Sequence, residues 1–190
     1  MRLVASDRSF LGVGHYQPGS IAVRIMSFKD IELDAAYYQQ RITTAYASRV
    51  RLNLIREDNT IYRLIHGEGD GIPGLIIDIY GSTAVIQAHS VGIHNDRETI
   101  ARVLQSVYPP GVLQHIYYKS EGTLPFKADV MADDGYLSGG SEPETIAIEN
   151  GLKFHIDWEK GQKTGFFIDQ RESRLLLQKY ASGCHVLNMF

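Results

Sequence analysis

The densest chemistry in this chain lies in Gly161-Gln162-Lys163-Thr164-Gly165-Phe166-Phe167-Ile168-Asp169-Gln170-Arg171. Its two glycines permit tight turns or close approach of a ligand to the backbone. Phe166 and Phe167 could wall a flat ring. Adjacent side chains in extended backbone point opposite ways, so one of the two is expected to plug the seam beneath the following helix. Gln170 can donate and accept, which suits a purine edge or an amino-acid headgroup. Lys163 and Arg171 suit phosphates or carboxylates. From these residues alone the stretch reads equally as a polar and aromatic ligand loop or as an elaborate helix cap.

Other site chemistries fit less well. Gly161-Gln162-Lys163-Thr164 imitates a P-loop, but its Gly and Lys are not adjacent and no strand leads directly in. The glycine-rich run Gly67–Gly74 carries Glu68 and Asp70, which repel phosphate, so it reads as a structural turn. The seven histidines show no metal-ligand spacing such as His-Glu-x-x-His, and no metal is assigned. His115 and His155 alternate within strands and are expected to be structural. No Gly-x-Ser-x-Gly elbow is present. Cys184, the single cysteine, excludes an internal disulfide and fits a reducing cytoplasm. Beside an apolar run it is expected to be a buried small side chain rather than a nucleophile.

The elements around the loop follow from turn residues and periodicity. Phe10–Tyr16 and Ile21–Met26 read as strands joined at Pro18-Gly19. Residues 30–54 read as a helix capped by Asp34 or Asp30, with Tyr38, Ile42, Ala45, Arg49 and Leu52 on one face. Arg41, Arg49, Arg51 and Arg56 give that helix a basic flank, most simply a solvated face. Thr60–Ile65 is a strand, and Leu75–Tyr80 and Thr83–Ala88 form a hairpin across Gly81-Ser82. Asn95 or Asp96 is expected to cap a helix to Tyr108 with Ile100, Val103, Leu104 and Val107 as its apolar stripe. Leu113–Tyr118 is a strand, and residues 120–145 read as loop. Thr145–Glu149 and Leu152–Asp157 form a second hairpin on Asn150-Gly151. Asp169 with Glu172 is spaced as a capping box opening a helix from Gln170 to Ala181. Residues 184–190 read as a strand buried on both faces of a parallel sheet.

A chain of 190 residues suffices for one full domain or two small ones, and its 44% hydrophobic and 22% charged content is ordinary for a globular protein. No apolar run approaches the roughly 18 residues that span a bilayer. Asp7 and Arg8 stand where a signal peptide needs apolar residues, so a cytoplasmic protein without membrane attachment is expected. The net charge of −3 argues against strong non-specific nucleic-acid binding by the whole chain. Residues 1–27 carry three basic groups and one acidic, residues 28–150 ten and seventeen, and residues 151–190 six and four. The two ends are therefore the better phosphate surfaces.

Lys163-Thr164-Gly165-Phe166-Phe167-x-Asp169-Gln170-Arg171, then a helix, then Val186-Leu187-Asn188-x-Phe190, resembles the start of the catalytic domain in one enzyme family. This is the S-adenosylmethionine-dependent ribosomal RNA (cytosine-5) methyltransferase family of the large-subunit methyltransferase I type. Tyr62-Arg63-Leu64, with Gly67-Glu68-x-Asp70-Gly71-x-Pro73-Gly74-Leu75 and Asp78, is similar to its central domain. Gly12-x-Gly14-x-Tyr16-x-Pro18 with Ile21-Ala22-Val23-Arg24 resembles the end of its PUA RNA-binding domain.

The resemblance implies an α+β chain in three parts. Residues 1–27 would be a partial PUA-like β segment, and residues 28–144 a central mixed α+β domain with a mostly antiparallel sheet. Residues 145–190 would be the opening hairpin, helix and strand of a Rossmann-like methyltransferase domain, cut short. It implies S-adenosylmethionine as cofactor, in a pocket incomplete in this chain, and ribosomal RNA as partner; a homodimer stays open. Thr164, Phe166, Phe167, Gln170, Asn188 and Phe190 would approach the cofactor or the target base. Lys163, Arg171 and Arg174 would meet RNA phosphate. In the family a thiolate attacks C6 of an unstacked cytosine, C5 takes the methyl from the sulfonium, and a base removes the C5 proton. The cofactor loop, the Asp-Pro-Pro motif and the Ser-Cys-Ser cysteine lie past the position of Phe190 in that family. No catalytic residue is therefore assigned here, Cys184 included, and the fragment is expected to be inactive alone. The alternatives are a non-catalytic RNA-binding or ribosome-assembly module and, with little weight, a nucleotide-binding hydrolase.

Overall fold

The computed structural model describes residues 1–125, 130–140, 145–187 and 189. The chain opens with a three-stranded antiparallel sheet of β1 (Arg2–Val4), β2 (Phe10–Tyr16) and β3 (Val23–Ser27), in that order. β2 and β3 match the expected strands. β1, only three residues long, shows no period in the sequence. Its turn is set by Asp7, whose carboxylate accepts from the Ser9 backbone at 2.9 Å and the Ser9 hydroxyl at 2.6 Å.

Helix α1 (Ala35–Arg51) starts at Asp34, whose carboxylate accepts from the Tyr37 N–H at 3.0 Å. Tyr38, Ile42 and Ala45 are buried, as their spacing requires. Arg49 continues the same face but ends in a bidentate pair with Asp70, 2.7 Å on each arm. The glycine-rich run thus folds as a short 3-10 turn, Gly67–Asp70, that gives α1 an anchor, which is a structural use.

Five strands form the central sheet: β4 (Ile61–His66), β5 (Leu75–Tyr80), β6 (Thr83–Ala88), β7 (His115–Tyr118) and β8 (Gly135–Ser138), in spatial order β4-β5-β6-β7-β8. All neighbours are antiparallel except β6 and β7. A parallel pair needs a long crossover, supplied here by α2 (Val91–Asn95) and α3 (Arg97–Val107). One helix was expected there and two form. Ser90 caps the first, while the Asp96 carboxylate goes to Tyr38 Oη at 2.5 Å and His15 Nε2 at 3.3 Å instead of capping the second. β8 lies in the stretch read as loop, because four residues between Asp134 and Gly139 carry no period.

Both faces of this sheet are covered. Leu64, Ile77, Ile79, Ala84 and Ile86 point to one side and pack with Tyr38 and Ile42 of α1 and Ile100 and Leu104 of α3. Ile61, Tyr80, Val85 and Tyr117 point to the other, as strand alternation demands. That second face is covered by a hairpin of β9 (Ile146–Glu149) and β10 (Leu152–His155) and the chain after it, through Ala147, Ile156 and Trp158. The hairpin turns on Asn150 and Gly151, both at positive φ (49° and 79°), as an Asn-Gly turn should. It is tied to the sheet by Thr60, whose N–H donates to Ile148 O at 2.7 Å and whose hydroxyl accepts from Ile148 N–H at 2.9 Å.

Helix α4 (Arg171–Tyr180) follows a 3-10 turn, Ile168–Gln170. The expected capping box does not form. The 3-10 turn moves the cap position from Asp169 to Gln170, and Asp169 pairs with Lys163 instead. Residues 184–187 form no strand, contrary to expectation. An apolar segment becomes a parallel strand only beside a partner, and among the described residues none lies next to it. Val186 and Leu187 are exposed, and so is Cys184, which was expected to be buried. The expected site residues Asn188 and Phe190 lie outside the described residues, as do positions 126–129 and 141–144.

Candidate functional site

The 161–171 loop is fastened to the second face of the central sheet by a buried polar cluster. Alternation on β5 places Asp78 and Tyr80 on that face. Asp78 is fully buried, and a buried carboxylate needs partners. Its oxygens accept from Arg63 Nε at 2.8 Å and Nη2 at 2.9 Å, and from the Thr164 hydroxyl at 2.6 Å. The Thr164 and Tyr80 hydroxyls lie 2.6 Å apart. Burial, with Asp78 nearby, pushes the Tyr80 phenol well above its ordinary range, so it stays protonated. The hydrogen bond to Asp78 raises Arg63 further. Thr164 is therefore directed into the protein, toward the central sheet.

Lys119, just past β7, fastens the loop a second time. Its ammonium donates to the carbonyl oxygens of Trp158 at 2.5 Å and Gly161 at 2.7 Å, and burial lowers its pKa. Gln87 adds a bond to Lys163 O at 3.2 Å. Gly165 is required where it stands: its φ is 112°, and a Cβ would lie 2.7 Å from Trp158 Cα.

The two phenylalanines divide as the geometry of neighbours demands. Phe166 packs against Phe154 with ring centroids 5.1 Å apart, under the Arg174 guanidinium at 4.3 Å. Phe167 is 40% exposed, with Lys163 Nζ 4.5 Å from its ring centre. Lys163 also bonds both oxygens of Asp169, at 3.0 and 3.1 Å, and this pair is open to solvent. Gln170 is exposed at the start of α4.

Arg171 and Arg174 are ion-paired within the chain. Both converge on Glu149, which is 2% exposed. Arg174 makes a bidentate pair at 2.7 and 2.9 Å, while Arg171 bonds Glu149 at 3.2 Å and the carbonyl of Ile61. A buried carboxylate draws cations inward because it has no water to solvate it. Both were expected to meet RNA phosphate, and the structure places their guanidinium groups on Glu149.

Between loop and sheet lies a groove of about 640 Å³. Ile76, Gln87 and His89 form its sheet side, and Phe166, Ile168 and the Lys163–Asp169 pair its loop side. Thr123 closes one end, held by its hydroxyl to Ala88 O at 2.6 Å. The size suits a small planar ligand. The groove joins Lys163 and Phe166 to three residues with no expected site role: Gln87, His89 and Thr123. One signal existed for the polar anchors. A charge inside Ile76-Ile77-Asp78-Ile79, or just after Ile146-Ala147-Ile148, must be paired when the strand is buried.

Residues 119–190 match the model of the S-adenosylmethionine-dependent methyltransferase family. The chain is homologous to ribosomal RNA large subunit methyltransferase I of Pseudoalteromonas atlantica, 39% identical over 95% of this chain and 45% of the relative. The same enzyme of Shewanella frigidimarina is also 39% identical, over 100% of this chain and 48% of the relative. The chain thus spans about half the length of the curated relatives it matches. Among solved structures, a proposed SAM-dependent methyltransferase from Streptococcus mutans superposes with a TM-score of 0.77 at 24% identity, covering 95% of this chain and 45% of that one. A proposed methyltransferase complexed with SAH gives 0.78, also at 24% identity and with the same coverage. These two structures establish a shared fold. Among the described residues no helix is long and apolar enough to cross a membrane.

Proposed function

We propose that this chain is part of an S-adenosylmethionine-dependent methyltransferase that modifies C5 of a cytosine in large-subunit ribosomal RNA, in the cytoplasm. The observation that carries this is 39% identity, over essentially the whole chain, to ribosomal RNA large subunit methyltransferases I. In this reading residues 1–27 are PUA-like, residues 28–144 form the central domain, and residues 145–190 begin the methyltransferase domain, docked on the central sheet.

The residues present fit one edge of a cofactor site. S-adenosylmethionine offers a flat adenine, a ribose diol and a zwitterionic tail, and it supplies the methyl group when bound. Phe167 presents an exposed ring and Gln170 an exposed amide on the loop that Thr164 and Lys119 hold in place. Asn188 and Phe190, which lie outside the described residues, are proposed as further cofactor contacts. Lys163 is the loop cation left for RNA, since its pair with Asp169 is solvent-exposed and easily exchanged.

The test is methyl transfer from labelled S-adenosylmethionine to large-subunit ribosomal RNA. Transfer is expected from the complete enzyme and not from residues 1–190 alone, with the label mapped to cytosine C5 by mass spectrometry of nucleosides. A label on a ring nitrogen or a ribose would overturn the C5 assignment. No transfer by the complete enzyme would overturn the whole reading.

A further inference from the structure

We propose that Lys119 is a positioning residue: its ammonium holds the 161–171 loop in the shape that binds S-adenosylmethionine, so the central domain sets cofactor affinity without touching the cofactor. This rests on the reading of the chain as part of an S-adenosylmethionine-dependent methyltransferase, and it adds to that site a residue beyond those that meet the ligand.

Three observations lead there. The first is where Lys119 stands. It continues β7, with its backbone N–H donating to Ile86 O at 2.9 Å. The next two backbone N–H groups, of Ser120 and Glu121, both donate to Asp134, at 2.6 and 2.8 Å. The Ser120 hydroxyl accepts from the Ala88 N–H at 2.8 Å. The root of the side chain is thus fixed, and strand alternation sends it to the sheet face that carries Tyr117, where the loop lies.

The second is what the ammonium meets. The carbonyl oxygens of Trp158, Gly161 and Glu159 converge on Nζ, at 2.5, 2.7 and 3.4 Å. An ammonium has three donors, enough for three carbonyls. Carbonyl oxygens aimed at one point repel each other unless a cation sits among them. Burial lowers the pKa of Lys119, so the charge is kept there at a cost. A partly desolvated charge adds little net stability, and what it supplies is placement.

The third is strain in the loop. Lys163 has a φ of 54°, in the left-handed region that residues other than glycine seldom adopt. Such a conformation persists only where the surroundings impose it. Lys119 acts on the entry to the loop at Gly161, while Gln87 and Asp78 act on its middle, at Lys163 O and the Thr164 hydroxyl. Phe167 and Gln170, the proposed cofactor contacts, follow. Without the ammonium the entry turn takes more than one shape, and affinity falls with the fraction of loop that stays competent.

The test is calorimetric titration of the complete enzyme with S-adenosylhomocysteine. Lys119→Met keeps the stem and removes the charge, and it should weaken binding by roughly tenfold. Lys119→Arg, which keeps a cation, should recover most of the loss. In methyl transfer, Lys119→Met should raise KM for the cofactor and leave kcat at saturation within about twofold. On this chain without cofactor, the same variant should speed amide exchange across residues 161–167. Tyr62→Phe controls for lost stability. It removes the 2.8 Å hydroxyl pair with Tyr108 in the core on the other face of the sheet, and it should bind normally. Circular dichroism reads the fold of each variant at the assay temperature. Unchanged affinity in Lys119→Met, equal weakening in Tyr62→Phe or no recovery in Lys119→Arg would overturn the inference. So would an unfolded Lys119→Met, which would assign the residue to stability. If the native enzyme does not bind S-adenosylhomocysteine, the methyltransferase reading falls and takes this inference with it. If the native enzyme binds and Lys119→Met binds equally well, the inference alone falls.

Discussion

Thr164 shows how a residue marked out by its loop neighbours can take its partners from elsewhere in the fold. Its place beside Lys163, Gly165 and two aromatics suggests ligand contact, yet its hydroxyl is the link between Asp78 and Tyr80. Nothing local could reveal this, because the two partners lie 86 and 84 residues away. Thr164→Val keeps the shape and removes the bond, leaving a buried carboxylate one donor short. A loss of about 1–3 kcal/mol is expected in urea unfolding, and Thr164→Ser should recover most of it. His89 gives a second test at this scale. Its folded pKa is lowered, so the folded state binds the proton less readily than the unfolded chain. The stabilisation from its neutral form is therefore present above the ordinary histidine pKa and lost as pH falls through the lowered folded value. A carbon-13 titration of the His89 ring should give a midpoint below 6.5. A midpoint at or above that value would contradict the buried, cation-flanked environment.

At the scale of elements, much was legible and the exceptions share a cause. The Asp34 cap, the Tyr38–Ile42–Ala45 face of α1, the Gly81-Ser82 hairpin and the Asn150-Gly151 hairpin all depend on neighbours within a few residues. The Asp169–Glu172 box and the single helix capped by Asn95 or Asp96 did not form because other partners took the side chains, Lys163 six residues from Asp169 and Tyr38 far from Asp96. Asp96 was taken by Tyr38, and both arginines by Glu149. The Glu149 anchor joins β9 to the start of α4. Removing a buried ion-pair partner strands the opposing charges, so Glu149→Ala should cost about 3–5 kcal/mol. The cost should change little between low and high salt, since the pair is shielded from solvent. A cost below about 1 kcal/mol in chemical denaturation, the range of exposed pairs, would show that the arginines are solvated instead. Gly165→Ala acts on the same loop through the backbone. The methyl would press on Trp158 Cα, and faster amide exchange across residues 161–167 is the expected readout.

At the scale of the whole molecule, the family resemblance implied three successive parts but not how the second and third combine. A sheet flanked by helices on one side reads the same in sequence whether its other face meets water or protein. Here Ile61, Tyr80, Val85 and Tyr117 on that face are closed over by Ala147, Ile156 and Trp158, all from beyond the boundary drawn at residue 144. The hairpin, the loop and the central sheet should therefore unfold together. Trp158 is the chain's single tryptophan and is 2% exposed, so its fluorescence reports the undocking of that layer alone. Far-UV circular dichroism reports mainly the helices and strands of the central sheet. The two signals are expected to give superimposable urea transitions, the signature of one cooperative unit. A chain ending at residue 144 should then be less stable than residues 1–190, and it should bind a hydrophobic dye through the uncovered face. If fluorescence instead changed at clearly lower urea than circular dichroism, the layer carrying the 161–171 loop would be a separable unit. The groove would then open and close with its docking, and the fixed placement of the loop by Asp78 and Lys119 would have to be given up.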